Sequence, residues 1–336
     1  MLIHHFDFLI TLLILLSFNL TCNTASPLNK ITSSSAFFIF GDSSVDPGNN
    51  NYINTIPENR ANYEPYGQNG FFQEPTGRFS DGRVVVDYIA EYANLPIIPP
   101  FLLPSAEFTH GANFASGGAG SNDYMGGYLG NPVMQQNYLP EEYVGMVIGN
   151  LTNAIQVLYE KGGRKFGFIS LPPLGCLPAL RALNTKDNED GCFQDACALG
   201  LAHNNALSAV LTSLEHIFKG FKYCNSNFYN WLNNIIQNPS LFGFKDGVNA
   251  CCGTGPFGGI FSCGGTKAVV EYQVCENADG HVWWDSFHPT EKIHKEFAKA
   301  LWNSNSVQPY NLEDLFFDRE KSTIGDIVDD QEAMQY

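Results

Sequence analysis

Two short segments near opposite ends of the chain carry residues that fit nucleophilic chemistry. Ser43 follows the apolar run 36–40, which predicts a buried strand, so its hydroxyl lies on the turn where that strand ends. Asp285 and His288 are three residues apart, close enough for one short loop to hold both. A serine hydroxyl, an imidazole base and an orienting carboxylate are the three parts of nucleophilic acyl transfer. The sequence therefore predicts Ser43, Asp285 and His288 as catalytic residues.

These residues also have structural interpretations. Ser43 fits the N-cap of a helix, and His288 fits a packing or capping histidine before a proline. His110 and His281 lie near candidate loops and are alternative catalytic histidines. The combination of a serine after a strand with a distant Asp-x-x-His segment favours the catalytic interpretation.

Acyl transfer also needs hydrogen-bond donors for the oxyanion that develops in the transition state. The glycine turn 117–120 offers backbone N–H groups, and Asn122 offers a side-chain amide. An ordinary glycine-rich turn beside an ordinary asparagine is the alternative interpretation.

The composition limits the kinds of partner. The 336 residues are 44% hydrophobic, enough for a large packed core, and carry a formal net charge of −16 with a pI near 4.8. Because no basic patch is visible, we expect no nucleic-acid partner. We expect no metal site, since the sequence has no Cys-x-x-Cys pair and no histidines at zinc-finger spacing.

The N-terminal region resembles a secretory signal. Residues 8–20 are an apolar run followed by small residues, and the run is shorter than the roughly 20 residues that a membrane span needs. We interpret residues 1–25 as a signal peptide of a secreted, extracellular protein, with a retained membrane anchor as the alternative. No later segment is long and apolar enough to span a bilayer, so we expect no integral membrane association.

Secretion makes disulfides the default state of the eight cysteines that follow the signal. The adjacent Cys251 and Cys252 need two different partners, which the short loops to the next two cysteines supply most simply. Cys176 is expected to pair with Cys192, and the remaining two form a doubtful pair. The disulfide candidates are Cys176, Cys192, Cys251, Cys252, Cys263 and Cys275.

Strand and helix patterns alternate along the chain, which predicts an α/β fold with a parallel sheet. The helix that opens at Pro140 has an apolar stripe from Val144 to Leu158, and Asn150 of an Asn-Leu-Thr sequon lies on its other face as a candidate glycosylation site. Residues 305–336 are acidic with few apolar anchors, which predicts a peripheral or disordered tail.

Several separate blocks are similar to the plant-type GDSL esterase/lipase family within the SGNH hydrolases. The blocks are Phe38 to Ser43 with Asp46 and 48–51, Gly111 to Gly120, Gly120 to Tyr124, Leu171 to Cys176, 251–253, and Asp285 to Thr290. The resemblance implies a flavodoxin-like sheet between helices over residues 26–304 and a Ser43/Asp285/His288 triad. The oxyanion hole it implies consists of the Ser43 N–H, Gly120, with Gly118 as the next choice, and Asn122. It implies a small ester or lipid substrate and no cofactor.

The second and third blocks are fused at Gly120. In the family they end two different parallel strands, and a crossover between such strands needs roughly ten or more residues. We therefore expect the domain to be shortened at Gly120, without one central strand beside the strand that leads to Ser43 and without the helix of that strand. The alternative function is that of a non-catalytic secreted relative, or inactive shortened isoform, that acts as a binding or associated protein.

Overall fold

The computed structural model describes residues 35–118, 122–184, 191–304 and 307–319. The strands in these ranges are β1 Phe37–Ile39, β2 Gly111–Asn113, β3 Lys165–Phe168, β4 Lys222–Asn225, β5 Asp246–Ala250, β6 Cys252–Gly253, β7 Gln273–Val274, β8 His281–Trp283 and β9 Gln308–Pro309. The α-helices are α1 Val85–Tyr92, α2 Asn122–Tyr124, α3 Pro132–Asn137, α4 Pro140–Glu160, α5 Pro178–Leu183, α6 Gln194–Ile217, α7 Phe228–Gln237, α8 Glu291–Asn303 and α9 Leu312–Phe317. The expected signal peptide, Gly120 and residues 320–336 lie outside the described residues.

The α/β class is confirmed. β1 pairs in parallel with β2, β3 with β4, and β5 with β8, while β9 joins β4 in the antiparallel sense. β6 and β7 form a separate antiparallel pair. Helices α1 and α8 pack together, as do α4 and α6, and the main hydrophobic core includes residues from all four.

The α4 helix illustrates how the sequence determines an element. Pro140 occupies its first turn, and the Glu142 carboxylate accepts a hydrogen bond from the Leu139 N–H at 2.8 Å, which caps the helix start. Asn150 is exposed on this helix. The buried side chains of α4 are Val144, Ile148 and Ile155.

In the part of the chain that the structure describes, one edge of β1 has no strand partner. The Phe37 N–H donates to His110 O at 2.8 Å, and Ile39 O accepts from the Phe114 N–H at 2.8 Å, so these residues bond toward β2. Because backbone polar groups alternate along a strand, those of Phe38 and Phe40 point to the opposite edge. Their side chains are 56% and 54% exposed, unlike those of a strand within a doubly covered parallel sheet.

The facing edge of β3 has the same character. Arg164 O and Phe168 O accept hydrogen bonds from the β4 side, so the polar groups of Gly167 and Ile169 point away from β4. Gly167 is exposed, and Ile169 is 39% exposed. The open edges of β1 and β3 line one cavity of about 1660 Å³, which also reaches Ser43. The parallel strands therefore form three separate pairs, and an apolar cavity lies between the open edges of β1 and β3.

Residues 307–319 pack onto the domain, unlike the peripheral tail expected from their composition. β9 extends the β3–β4 sheet, and Leu312 and Leu315 of α9 are buried in the main core. Phe316 contacts the Phe37 ring edge-to-face at 5.5 Å. The packed unit thus continues past residue 304, the domain end expected from the sequence, at least as far as Arg319.

Disulfides anchor two loops. Cys176 is bonded to Cys192, Cys251 to Cys275, and Cys252 to Cys263. The Cys252 N–H donates to Trp284 O at 2.7 Å, which ties the loop 251–275 to the segment that carries Asp285. Cys197 and Cys224, the doubtful pair, are both buried free thiols.

Cys197 and Cys224 should react with a maleimide only after unfolding, because both thiols are buried and burial raises the pKa of Cys224 to about 12. Peptide mapping of unreduced protein, alkylated before and after denaturation, checks this. Free thiols at Cys251 or Cys252, or a disulfide between Cys197 and Cys224, would contradict it.

Candidate active site

Ser43 is held by the turn that ends β1. Asp42 organises this turn, since its Oδ1 accepts from both the N–H and the hydroxyl of Ser44. The Gly41 carbonyl accepts from the Ser116 N–H at 3.1 Å, which aligns the turn with the segment after β2. Ser43 is half-buried there, so its hydroxyl is restrained and still reaches the cavity.

Asp46 joins the two loops that follow β1 and β2. Its carboxylate accepts backbone N–H bonds from Gly48, Asn49 and Gly117 at 2.7–2.9 Å. Burial raises the pKa of Asp46, while these hydrogen bonds and Arg78 act in the opposite direction. The carboxylate therefore fixes the glycine turn relative to the serine turn.

Asp285 and His288 lie on the loop after β8. Oδ1 of Asp285 accepts from the N–H groups of Phe287 and His288, both at 2.9 Å, so the loop is wound around this carboxylate. His288 Nδ1 lies 2.7 Å from the same oxygen. The ring of His288 packs against Phe79 with centroids 4.8 Å apart, which limits its rotation.

His288 also reaches the serine. Its Nε2 lies 2.7 Å from Ser43 Oγ, and because Nδ1 faces a carboxylate, Nε2 is the nitrogen free to accept the hydroxyl proton. The structure thus brings Ser43, Asp285 and His288 together across 245 residues. Among the described residues, the histidine that bonds to Ser43 is His288. The alternatives His110 and His281 make no such bond within these ranges.

The Asp285 carboxylate is fully buried at 0% exposure. Burial favours its neutral form, but the charge and hydrogen bond of His288, together with hydrogen bonds from Phe287 and Tyr66, hold the pKa of Asp285 below its ordinary value. A charged carboxylate can keep the imidazole in the tautomer that accepts a proton at Nε2.

Two of the candidate oxyanion donors, Gly118 and Asn122, line the same large cavity as Ser43. Gly118 has φ +97°, a conformation suited to glycine, and Asn122 is the first residue of α2. Gly120, the glycine favoured from the sequence, lies outside the described residues.

Within the described ranges, Cys251, Cys275 and His281 form the one group with metal-ligand spacing. Its two sulfurs are joined in a disulfide, so they are not thiolate ligands. Among the described residues, no helix has the length and apolar character of a membrane span.

Two residues at the site were missed by sequence analysis. The Tyr66 hydroxyl donates to Asp285 Oδ2 at 2.8 Å, and Lys267 is buried beside Tyr63 and Tyr66. Neither residue has a motif spacing that points to the triad. The available signal was the polar, aromatic stretch of sequence that contains Tyr66.

The arrangement of Ser43, His288 and Asp285 is typical of one class of enzyme active site. Serine hydrolases of α/β architecture hold a nucleophile, a base and an orienting carboxylate on loops that follow the carboxyl ends of parallel strands.

Comparison with known proteins gives the family. The family model described as GDSL-like lipase/acylhydrolase matches residues 37–143 and 119–301. The chain is 43% identical to "GDSL esterase/lipase 5" of Arabidopsis thaliana, over 86% of this chain and 88% of that protein. It is also 43% identical to "GDSL lipase" of Tanacetum cinerariifolium, over 84% and 87% of the two chains, and 38% identical to "GDSL esterase/lipase 1" of Arabidopsis thaliana, over 86% and 91%. The chain belongs to the GDSL-like lipase/acylhydrolase family.

The alignment also reveals a difference in length. The match to "GDSL esterase/lipase 5" extends over 346 positions, whereas 86% of the 336 residues of this chain is about 289. More than 50 aligned positions therefore have no residue of this chain opposite them.

Proposed function

We propose that this chain is a secreted serine hydrolase that cleaves carboxylic esters through an acyl-enzyme. The observation that carries the proposal is the continuous hydrogen-bonded path from Asp285 through His288 to Ser43, with both side-chain distances at 2.7 Å. Membership of a family with relatives named esterases and lipases supports the reaction class.

In this mechanism Ser43 Oγ attacks the ester carbonyl carbon while His288 Nε2 takes the hydroxyl proton. The tetrahedral intermediate then breaks its bond to the alcohol oxygen, and His288 returns the proton to that oxygen. Water attacks the acyl-enzyme with His288 again as base, which releases the acid and restores Ser43. Asp285 orients the imidazole and stabilises its charged form.

The oxyanion is stabilised by the Ser43 N–H, by Gly120 or Gly118, and by the Asn122 amide. That Gly118 and Asn122 line the same cavity as Ser43 supports this assignment. None of these steps uses a metal or organic cofactor.

The substrate class is a small ester or lipid. The cavity that reaches Ser43 has an aromatic pair in its lining, Phe40 stacked on Phe114 at 5.1 Å. Such a surface favours an apolar acyl or alcohol group.

Secretion is supported by the apolar run 8–20 and by three disulfides, which persist in oxidising compartments. Asn150 is proposed to carry an N-linked glycan because it belongs to a sequon and is exposed on α4.

The fold is proposed to be a flavodoxin-like sheet that lacks one central strand and its helix, between β1 and β3. The two open edges and the cavity of about 1660 Å³ between them support this proposal. Further support comes from the positions that the relative has in excess and from the two family matches, which overlap over residues 119–143. Activity of this shortened form is therefore expected to be weak.

The open edges favour a second candidate, a non-catalytic secreted binding or associated protein. A fluorophosphonate probe and a short p-nitrophenyl ester discriminate the two functions. Labelling confined to Ser43, with slow hydrolysis above that of the Ser43→Ala variant, supports the hydrolase. A folded protein that shows neither labelling nor hydrolysis supports the binding protein.

A further inference from the structure

A buried tyrosine lies behind the carboxylate of the proposed triad. Tyr66 is 1% exposed, and its ring meets the edges of Phe79 and Trp284 at 6.0 and 6.2 Å. Its hydroxyl donates to Asp285 Oδ2 at 2.8 Å. Burial, followed by the neighbouring charge of Asp285, raises the pKa of Tyr66 well above its usual value, so the hydroxyl remains a donor throughout the working pH range.

The two oxygens of Asp285 have different partners. Oδ1 is bonded to His288 and to the loop backbone, as described above. Oδ2 accepts its hydrogen bond, among the described residues, from the Tyr66 hydroxyl. One phenol therefore sets the angle of the carboxylate about its own axis.

A buried cation lies next to this tyrosine. The Lys267 ammonium donates to Tyr63 Oη at 2.6 Å and lies 4.0 Å from the centre of the Phe261 ring and 5.5 Å from that of Tyr66. Lys267 is 4% exposed, and no carboxylate in the described part of the chain lies within ion-pair distance of it. An ammonium buried against aromatic faces is costly to desolvate and acts strongly on nearby charges.

The charged and titratable groups that face this cluster are few. Asp285 and Glu58 attract the Lys267 charge, and Tyr63 and Tyr66 are its phenolic neighbours. Burial lowers the pKa of Lys267 to about 8 against these attractions, so most of it is charged at neutral pH.

We propose that Tyr66 and Lys267 are positioning residues that set how strongly the Asp285 carboxylate holds the His288 proton. Tyr66 orients Oδ2 and withdraws charge from it, and Lys267, fixed by Tyr63, adds a positive potential behind the same carboxylate. This inference rests on the proposed triad, and its test does not require ester turnover.

The sign of the effect follows from electrostatics. Without the hydrogen bond from Tyr66, the Asp285 carboxylate attracts protonated His288 more strongly. Without the Lys267 cation, the positive potential that opposes protonation of His288 is smaller. In both cases His288 retains its proton to higher pH. Fewer molecules then carry the neutral imidazole that must accept the serine proton.

The experiment compares Tyr66→Phe and Lys267→Met with the full-length chain. The NMR titration midpoint of the His288 ring, assigned by its absence in His288→Gln, is expected to rise by roughly 0.5 to 1 pH unit in each variant. The acid limb of kcat/KM should move with it by the same amount, with KM changed less than about twofold.

Tyr128→Phe is the matched control, because that buried tyrosine also donates a hydroxyl hydrogen bond, to Tyr138 O at 3.0 Å, without contacting the triad. It should leave the His288 midpoint unchanged. A Tyr66→Phe variant that loses stability in urea but keeps the midpoint and the acid limb overturns the inference and leaves Tyr66 a packing residue. A shifted midpoint in a protein without hydrolysis supports the inference and counts against the proposed function alone.

Discussion

Ser43→Ala is expected to abolish ester hydrolysis and fluorophosphonate labelling, the largest effect of any single substitution considered for this chain. Removal of a serine nucleophile that acts with a histidine typically lowers kcat by about 10⁴- to 10⁶-fold, because His288 and Asp285 then have no serine hydroxyl to activate. Stability should change by less than about 0.5 kcal/mol, since the side chain is half-buried and small.

Ser44→Ala is the control. Ser44 is the adjacent serine, is exposed, and bonds to Asp42 instead of His288. It should keep labelling and most of the activity of the starting protein, as measured by intact-mass analysis and p-nitrophenyl acetate hydrolysis. If the Ser43→Ala variant hydrolysed the ester at an undiminished rate, Ser43 would not be the nucleophile.

Inserting the segment proposed to be missing is expected to raise activity by about 10²- to 10³-fold. The change is an insertion, between Gly118 and Asn122, of a segment from "GDSL esterase/lipase 5", whose alignment with this chain has more than 50 positions without a residue of this chain. A recovered central strand would place Asn122 on a strand end instead of on the short helix that follows the glycine turn, and one misplaced oxyanion donor costs this factor in rate. Burial of the apolar cavity walls should add several kcal/mol of stability at about 25 cal/mol per Å².

The comparison needs an insertion of equal length made of glycine and serine, which cannot supply apolar side chains to the cavity. It should leave both the rate and the urea midpoint near those of the short chain. If the short chain already hydrolyses p-nitrophenyl esters at the rate of the restored chain, the idea of a functional gap between β1 and β3 is wrong.

The sequence predicts the elements whose information is local. The α4 helix was predictable because Pro140 and the apolar stripe from Val144 specify its start and its buried face. The Asp285–His288 pair was visible because both residues occupy one loop. Short-range spacing is therefore sufficient for these features.

Other features depend on contacts that spacing does not encode. Tyr66 and Asp285 are 219 residues apart, and no periodic pattern relates them. Lys267 belongs to a residue type that is almost never fully buried unless it is paired, so composition places it at the surface. α9 was missed because its buried leucines lie in a short acidic segment whose average composition is polar.

If Lys267 acts on the proposed triad, the loop that carries it couples the redox state of the protein to the electrostatics of that site. Lys267 lies between Cys263 and Cys275, and their disulfides to Cys252 and Cys251 hold the loop against the strand before Asp285. A chain produced in a reducing compartment would keep Ser43 and His288 on their own turns but would lack the covalent restraint that keeps this cation behind the carboxylate. The oxidising environment thus acts as a condition for the tuned triad as well as for a stable fold.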